Sequence, residues 1–90
     1  MSSKDKEKRV LSRLKQEREK QKLSQLELAL KSGVSQNMIA YIETGKRTPT
    51  LSTIIKLCDA LSINPAVLFD DENKQKEAIK TSIFELVNQL

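Results

Sequence analysis

The sequence predicts an all-α protein built around one small core, and three observations support this prediction. Apolar residues recur at spacings of three and four, which is the period of one helix face. No segment alternates with period two, and the dipeptides that start hairpins are missing, so strands are not expected. With 90 residues, of which 38% are hydrophobic and 3% aromatic, the chain can fill a single modest core.

The first helix is predicted to run from about Asp5 or Lys8 to Lys20, after a flexible basic arm of residues 1–8. Its narrow apolar stripe consists of Val10, Leu11 and Leu14. Most of the other positions are Lys, Arg, Glu or Gln, which are good helix formers. The arm can reach a phosphate group, or it can be disordered without any specific contact.

The second and third helices are short and are separated by a glycine turn. Ser24 and Glu27 have the spacing of a capping box, which starts the second helix at Ser24. Gly33 ends that helix, because glycine readily adopts a positive φ. The third helix begins near Ser35, its expected N-cap, and ends by Gly45. Two short helices joined by a tight turn indicate a helix-turn-helix.

Two more helices complete the predicted domain, which covers residues 9–69. The fourth runs from about Leu51 to Leu61 and is the most apolar segment, so we expect it at the centre of the core. Pro65 opens a short fifth helix that ends at Leu68 or Phe69, because proline fits the first turn of a helix.

Residues 70–90 follow a polar boundary and are predicted to form a C-terminal helix. Its apolar stripe consists of Ile79, Ile83, Leu86, Val87 and Leu90. The five-helix body can close its core unaided, so this spare stripe favours dimerisation with a second copy. Two alternatives stay open: the stripe can fold back on its own domain, or it can bind a different helical protein.

Composition argues against catalysis and against metal or cofactor binding. The chain has no histidine, one cysteine and no clustered carboxylates, so neither an acid–base pair nor a metal cluster is expected. The single cysteine, Cys58, lies among apolar neighbours, which favours a buried structural thiol over a reactive one. No apolar run approaches the roughly 20 residues of a membrane span, and no secretory signal is evident. We therefore expect a non-enzyme in the cytoplasm.

The charge distribution points to a polyanionic partner for the body of the protein. Met1 to Phe69 contain 13 basic and 7 acidic residues, whereas Asp70 to Leu90 contain 3 basic and 5 acidic residues. A basic surface can attract nucleic acid, although a merely solvated surface has the same composition.

Amide side chains at the start of the third helix indicate contact with DNA. The second member of a helix-turn-helix can enter the major groove, where Asn and Gln pair bidentately with adenine. Gln36 and Asn37 are the right groups in the right place for such pairing. Gln25, in the first turn of the second helix, can bind a phosphate. Lys46 and Arg47 can hold the DNA backbone on the other side of the third helix.

The residues from Val10 to Phe69 resemble the helix-turn-helix domain of the phage-repressor family, also called the Cro or XRE type. The motifs that carry the likeness are "LSQLELA", Gly33, "SQ" at the start of the next helix, "I-x-x-I-E-x-G-K-R-x-P" and "ALSINPAVLF". The resemblance implies a five-helix, lambda-repressor-like DNA-binding domain, followed here by the C-terminal helix. It also implies a dimer on a near-palindromic operator in double-stranded DNA.

The resemblance assigns roles to individual positions. Gln25 would contact a phosphate and in some relatives a base. The groove-facing positions would be Ser35, Gln36, Asn37 and Tyr41, and those near the DNA backbone would be Thr44, Lys46 and Arg47. Arg18 and Glu43 would form a structural ion pair.

Three positions in the third helix, Met38, Ala40 and Tyr41, depart from the polar residues of some relatives. Ala40 cannot hydrogen-bond, but its methyl group can meet a thymine methyl. Tyr41 can either reach the DNA or pack at the edge of the domain.

The function predicted from the sequence is a transcriptional regulator, most simply a repressor, that reads the major groove as a homodimer. One alternative is the antitoxin of a toxin–antitoxin pair, in which the C-terminal helix grips the toxin. A small protein antagonist that competes with self-association is a related possibility. Another is a protein-interaction adaptor on the same fold.

Overall fold

The structure, a computed structural model, describes residues 2–70 as four α-helices and one short 3₁₀ helix. The elements are α1 (Ser3–Lys20), α2 (Gln25–Ser32), α3 (Gln36–Glu43), α4 (Leu51–Leu61) and the 3₁₀ helix Pro65–Phe69. Within this range there is no strand, as the sequence predicts. The predicted C-terminal helix lies outside the described residues, and so does its stripe of Ile79, Ile83, Leu86, Val87 and Leu90.

The first helix begins earlier than the sequence analysis predicts. Ser2 and Asp5 form a capping box: the Asp5 N–H donates to Ser2 Oγ at 3.2 Å, and the Ser2 N–H donates to Asp5 Oδ2 at 3.3 Å. These bonds satisfy N–H groups that the first turn would otherwise leave unpaired. The predicted start at Asp5 or Lys8 is therefore too late, and residues 3–8 form the first turns of α1 instead of a separate arm.

The predicted fifth helix is present as a 3₁₀ helix, so the described residues contain four α-helices and not five. Asn64 closes its start, because Asn64 Oδ1 accepts from the Ala66 N–H at 2.9 Å. The Asn64 carbonyl accepts from the Val67 N–H at 2.9 Å, which is the three-residue spacing of a 3₁₀ turn. Only five residues separate Asn64 from the extended residue Asp70, which leaves little room for an α-helix.

One core joins all five elements. Its buried side chains are Leu11, Leu14, Leu28, Ile39, Ile42, Leu57, Cys58, Leu61 and Leu68. The helix α4 contributes three of them, in agreement with its predicted central place, although Leu51 at its start is 73% exposed. Burial raises the pKa of the Cys58 thiol, as expected for a structural cysteine.

The turn between α2 and α3 has the predicted chemistry. Ser24 Oγ accepts from the Glu27 N–H at 3.0 Å, and Glu27 Oε1 accepts from the Ser24 N–H at 3.1 Å. Gly33 has φ +74°, which allows the chain to leave α2 and enter α3 within a few residues. Helix α2 packs against α3 and α4, while α1 packs behind α3, so one face of α3 is covered by the body.

Across residues 2–70, no helix is both long enough and apolar enough to cross a membrane. The same range contains no cluster of three or more His, Cys, Asp or Glu residues that could hold a metal ion.

Candidate nucleic-acid interface

The N-terminal turn of α3 is fixed by its cap and presents its polar side chains outward. Ser35 Oγ accepts from the Met38 N–H at 3.1 Å, which leaves the hydroxyl hydrogen of Ser35 able to donate elsewhere. Gln36 and Asn37 follow and are both exposed. Ile39 anchors the opposite face of the helix and is completely buried. The amides therefore stand at an open helix tip, as the sequence analysis expects.

The middle of α3 combines a small side chain with an aromatic one. Ala40 is half-buried, whereas Tyr41 is 42% exposed. The guanidinium carbon of Arg47 lies 5.9 Å from the centroid of the Tyr41 ring, which is within cation–π range. Tyr41 thus lies at the edge of the domain beneath a cation, and this contact was not foreseen from the sequence.

The loop after α3 folds back onto the end of the helix. The Tyr41 carbonyl accepts from the Lys46 N–H at 2.8 Å and from the Arg47 N–H at 3.2 Å. Gly45 adopts φ +76°, which this tight reversal requires. The exposed cations Lys46 and Arg47 are consequently held close to α3, where they can meet the DNA backbone beside the groove.

Thr44 is exposed but is less suited to phosphate binding than its neighbours. Its Oγ1 donates to the Ala40 carbonyl at 2.8 Å, with a second contact to the Tyr41 carbonyl at 3.3 Å. A hydroxyl has one hydrogen, and a phosphate oxygen needs a donor. In this geometry the Thr44 side chain closes the end of α3 and has no hydrogen left for DNA.

Arg18 and Glu43 form the ion pair that the resemblance implies, and it ties α1 to the end of α3. Arg18 Nε donates to Glu43 Oε2 at 2.8 Å, and Arg18 Nη2 donates to Glu43 Oε1 at 2.9 Å. Arg18 Nη1 also donates to the Leu23 carbonyl at 2.7 Å. The side chains are only 11% and 1% exposed. Hydrogen bonding to Glu43 raises the pKa of Arg18 against the opposing effect of burial.

Gln25 is placed differently from the free phosphate ligand that the sequence predicts. Its Nε2 donates to Glu43 Oε1 at 3.0 Å, and the residue is half-buried. The same carboxylate oxygen thus accepts from both Arg18 and Gln25. The sequence contains no local signal for this contact, because Gln25 and Glu43 are on different helices.

The electrostatics of α3 suit an approach to polyanions. Its sequence contains one acidic residue, Glu43, whose side chain is buried and paired with Arg18. The first turn has no acidic side chain, so the exposed tip combines neutral amides with the positive end of the helix dipole. The arrangement presents donors and acceptors for base edges, with cations alongside for phosphates.

The helix-turn-helix family model matches residues 14–68, which is more than half of the chain. The chain belongs to this family, in its phage-repressor or XRE form. Its members are DNA-binding transcription regulators, and the fold described above is theirs.

Two relatives illustrate the family. The chain is 35% identical over 68 residues to the immunity repressor protein of Bacillus phage phi105; the match covers 76% of this chain and 47% of that repressor. The chain therefore spans about half the length of this relative. It also matches the crystal structure of the restriction-modification controller protein C.AhdI from Aeromonas hydrophila, with a TM-score of 0.67 and 38% identity. That match covers 72% of this chain and 97% of the controller protein. Both names describe regulators and not enzymes.

Proposed function

We propose that this helix-turn-helix protein is a sequence-specific transcriptional repressor that reads the DNA major groove with α3. The observation that carries the proposal is the open tip of α3, where Gln36 and Asn37 are exposed on the first turn. The groove is about 12 Å wide and accepts one α-helix, and both amides can pair bidentately with adenine. Ser35 can donate from the same turn, and the half-buried Ala40 can meet a thymine methyl.

The cations beside α3 supply the contacts that do not depend on sequence. Lys46 and Arg47 are exposed and held against the end of the helix by bonds to the Tyr41 carbonyl. They can neutralise phosphates and fix the position of α3 in the groove. Tyr41, with Arg47 over its ring, would line the edge of the interface and support that cation.

The protein would act as a homodimer on a near-palindromic operator. Residues 70–90, with the apolar stripe described above, are the proposed dimerisation segment. A two-fold dimer would present two α3 helices to successive major grooves, about 34–36 Å apart. Repression is supported by likeness to the phage phi105 immunity repressor, and a cytoplasmic location fits an operator-binding role.

Selection from genomic fragments followed by hydroxyl-radical footprinting tests the proposal. We expect one recurring site with two protected half-sites whose centres are about one helical turn apart. Promoter fusions carrying that site should be less active when the protein is present. Failure to enrich any fragment would contradict DNA recognition, whereas a single protected half-site would contradict only the dimer.

A further inference from the structure

We propose that Glu43 positions Gln25 for a phosphate contact, so that the buried ion pair also shapes the DNA-binding surface. This inference rests on the proposed function and assigns to Glu43 a role beyond the stability of the fold. It starts from one observation, namely that the Gln25 amide is held by Glu43 at 3.0 Å instead of extending freely from α2.

The hydrogen-bond capacity of the Gln25 amide leaves room for a second partner. Its Nε2 carries two hydrogens, and the bond to Glu43 Oε1 uses one of them. The second hydrogen is fixed in direction, because the amide is planar and its nitrogen is anchored. Gln25 is the first residue of α2, where backbone N–H groups and the helix dipole also favour an anion. A phosphate oxygen beside this turn would meet a donor that is already oriented.

The carboxylate that holds Gln25 does not repel the phosphate as a free carboxylate would. Both Glu43 oxygens accept from Arg18, at 2.8 and 2.9 Å, and the Glu43 side chain is only 1% exposed. The charge of Glu43 is thus compensated inside the protein. Because Arg18 compensates this charge, the acidic side chain of Glu43 can orient Gln25, the residue that binds the phosphate.

Pre-orientation should also increase affinity. A free glutamine side chain loses rotamer freedom when it binds, at a cost that an already ordered side chain avoids. Gln25 is half-buried and hydrogen-bonded before DNA binds, so most of its rotamer freedom is already lost when the protein folds. Without the carboxylate, Gln25 would be free to leave the position from which it donates.

A double-mutant cycle on the full chain tests the role. DNA affinity is measured for the unmodified protein, Gln25→Ala, Glu43→Ala, which removes the acceptor of the Gln25 amide, and the double variant. The duplex is the site recovered by genomic selection, and the temperature is one at which circular dichroism shows every variant folded. We expect Gln25→Ala to weaken binding about tenfold in the unmodified background, as for loss of one bond to a charged group, and less than about twofold in the Glu43→Ala background.

Lys46→Ala supplies the matched control for this cycle. Lys46 lies on the loop after α3, whereas the side-chain bonds to the Glu43 carboxylate come from Arg18 and Gln25. Its loss should weaken binding by the same factor with and without Glu43→Ala. If the mutation of Glu43 changes the effect of Gln25→Ala but not that of Lys46→Ala, Glu43 positions Gln25 and its loss does not simply destabilise the whole fold.

Three results would overturn the role while leaving DNA recognition intact. Gln25→Ala could weaken binding equally in both backgrounds, it could leave binding unchanged, or Glu43→Ala could strengthen binding by releasing a sequestered amide. If the unmodified chain binds no duplex, the proposed function fails and this role fails with it.

The side-chain amide of Gln25 gives a second test should Glu43→Ala not fold. The two Nε2 protons of a glutamine amide are chemically distinct, so NMR can follow each of them separately. When the duplex is added, we expect the outward proton to shift strongly while the proton that faces Glu43 keeps its position. Equal shifts of both protons, or no shift of either, would contradict the positioning role.

Discussion

At its N-terminal end α3 exposes the amides of Gln36 and Asn37, whereas at its C-terminal end it buries the carboxylate of Glu43. The side chains at the first end are exposed, so their polar groups are available to a partner. The second end is bonded to α1 through Arg18 and to α2 through Gln25. A short helix of eight residues can thus be held rigidly at one end and offered to solvent at the other.

The difference explains why the two ends should respond differently to mutation. Changes at the buried end should cost folding free energy, because they leave charged groups without partners. Changes at the exposed tip should cost binding free energy and leave folding nearly unaltered.

The largest effect is expected from Arg18→Ala. It leaves the Glu43 carboxylate buried without its cation, which should lower the free energy of unfolding by about 3–5 kcal/mol. Urea melts followed by circular dichroism measure the change. Lys15→Ala is the matched control, since the Lys15 and Glu19 charges are 4.0 Å apart and half exposed, and it should cost under about 1 kcal/mol. If the two variants lowered the free energy of unfolding equally, the buried pair would contribute no more to stability than an exposed one.

The exposed tip should give the next largest effect. Gln36→Ala or Asn37→Ala should weaken binding to the selected site by about 1–3 kcal/mol and change binding to random duplex little. Their urea midpoints should stay close to that of the unmodified protein. Gln16→Ala, which removes an exposed amide from α1, should leave both affinities unaltered. Equal losses on the two duplexes would argue against a base-reading role.

Lys46→Ala should produce a smaller loss that does not depend on DNA sequence. Removing one phosphate contact should make the plot of log affinity against log salt shallower by about 0.9. The loss should be similar on selected and random duplexes. Lys56→Ala changes an exposed lysine of α4 and should leave the slope as it was. An unchanged slope after Lys46→Ala would mean that this cation does not reach a phosphate.

The smallest effect concerns the capping box that begins α2. Hydrogen bonds from Ser24 hold the pKa of Glu27 below its ordinary value of 4.5. The stability that this charge contributes is therefore complete above 4.5 and is lost as the pH falls through the lower folded value. Glu27→Gln does not titrate, so its urea midpoint should fall less steeply in acid than that of the unmodified protein. Parallel curves for the two proteins would contradict the assignment.

The sequence predicted features that depend on neighbouring residues. The Ser24–Glu27 capping box and the left-handed Gly33 follow from spacings of a few residues, and both are present. Ser2 and Asp5 have the same spacing as that capping box, yet the lysine-rich composition around them favoured an arm. The spacing of Ser2 and Asp5 therefore indicated the early start of α1, but the interpretation gave more weight to the lysine-rich composition.

The features that sequence reasoning missed depend on how the helices pack. Gln25 and Glu43 are 18 residues apart, and Gln21 Nε2 reaches the Leu61 carbonyl at 2.6 Å across 40 residues. No local pattern encodes such distances. The sequence of α2 likewise does not indicate which of its leucines is covered, since Leu28 is buried while Leu30 is 77% exposed. Which side of so short a helix is covered is decided by α3 and α4.

Parallel selections from one random duplex pool test most directly whether the open tip of α3 reads DNA. One selection uses the unmodified protein, and the other uses the double variant Gln36→Ala/Asn37→Ala, after urea melts show both to be folded. We expect the unmodified protein to enrich one sequence and the variant to lose the preference at the positions that the amides contact, while it still binds DNA through Lys46 and Arg47. Recovery of the same sequence with the same preference by both proteins would contradict the account.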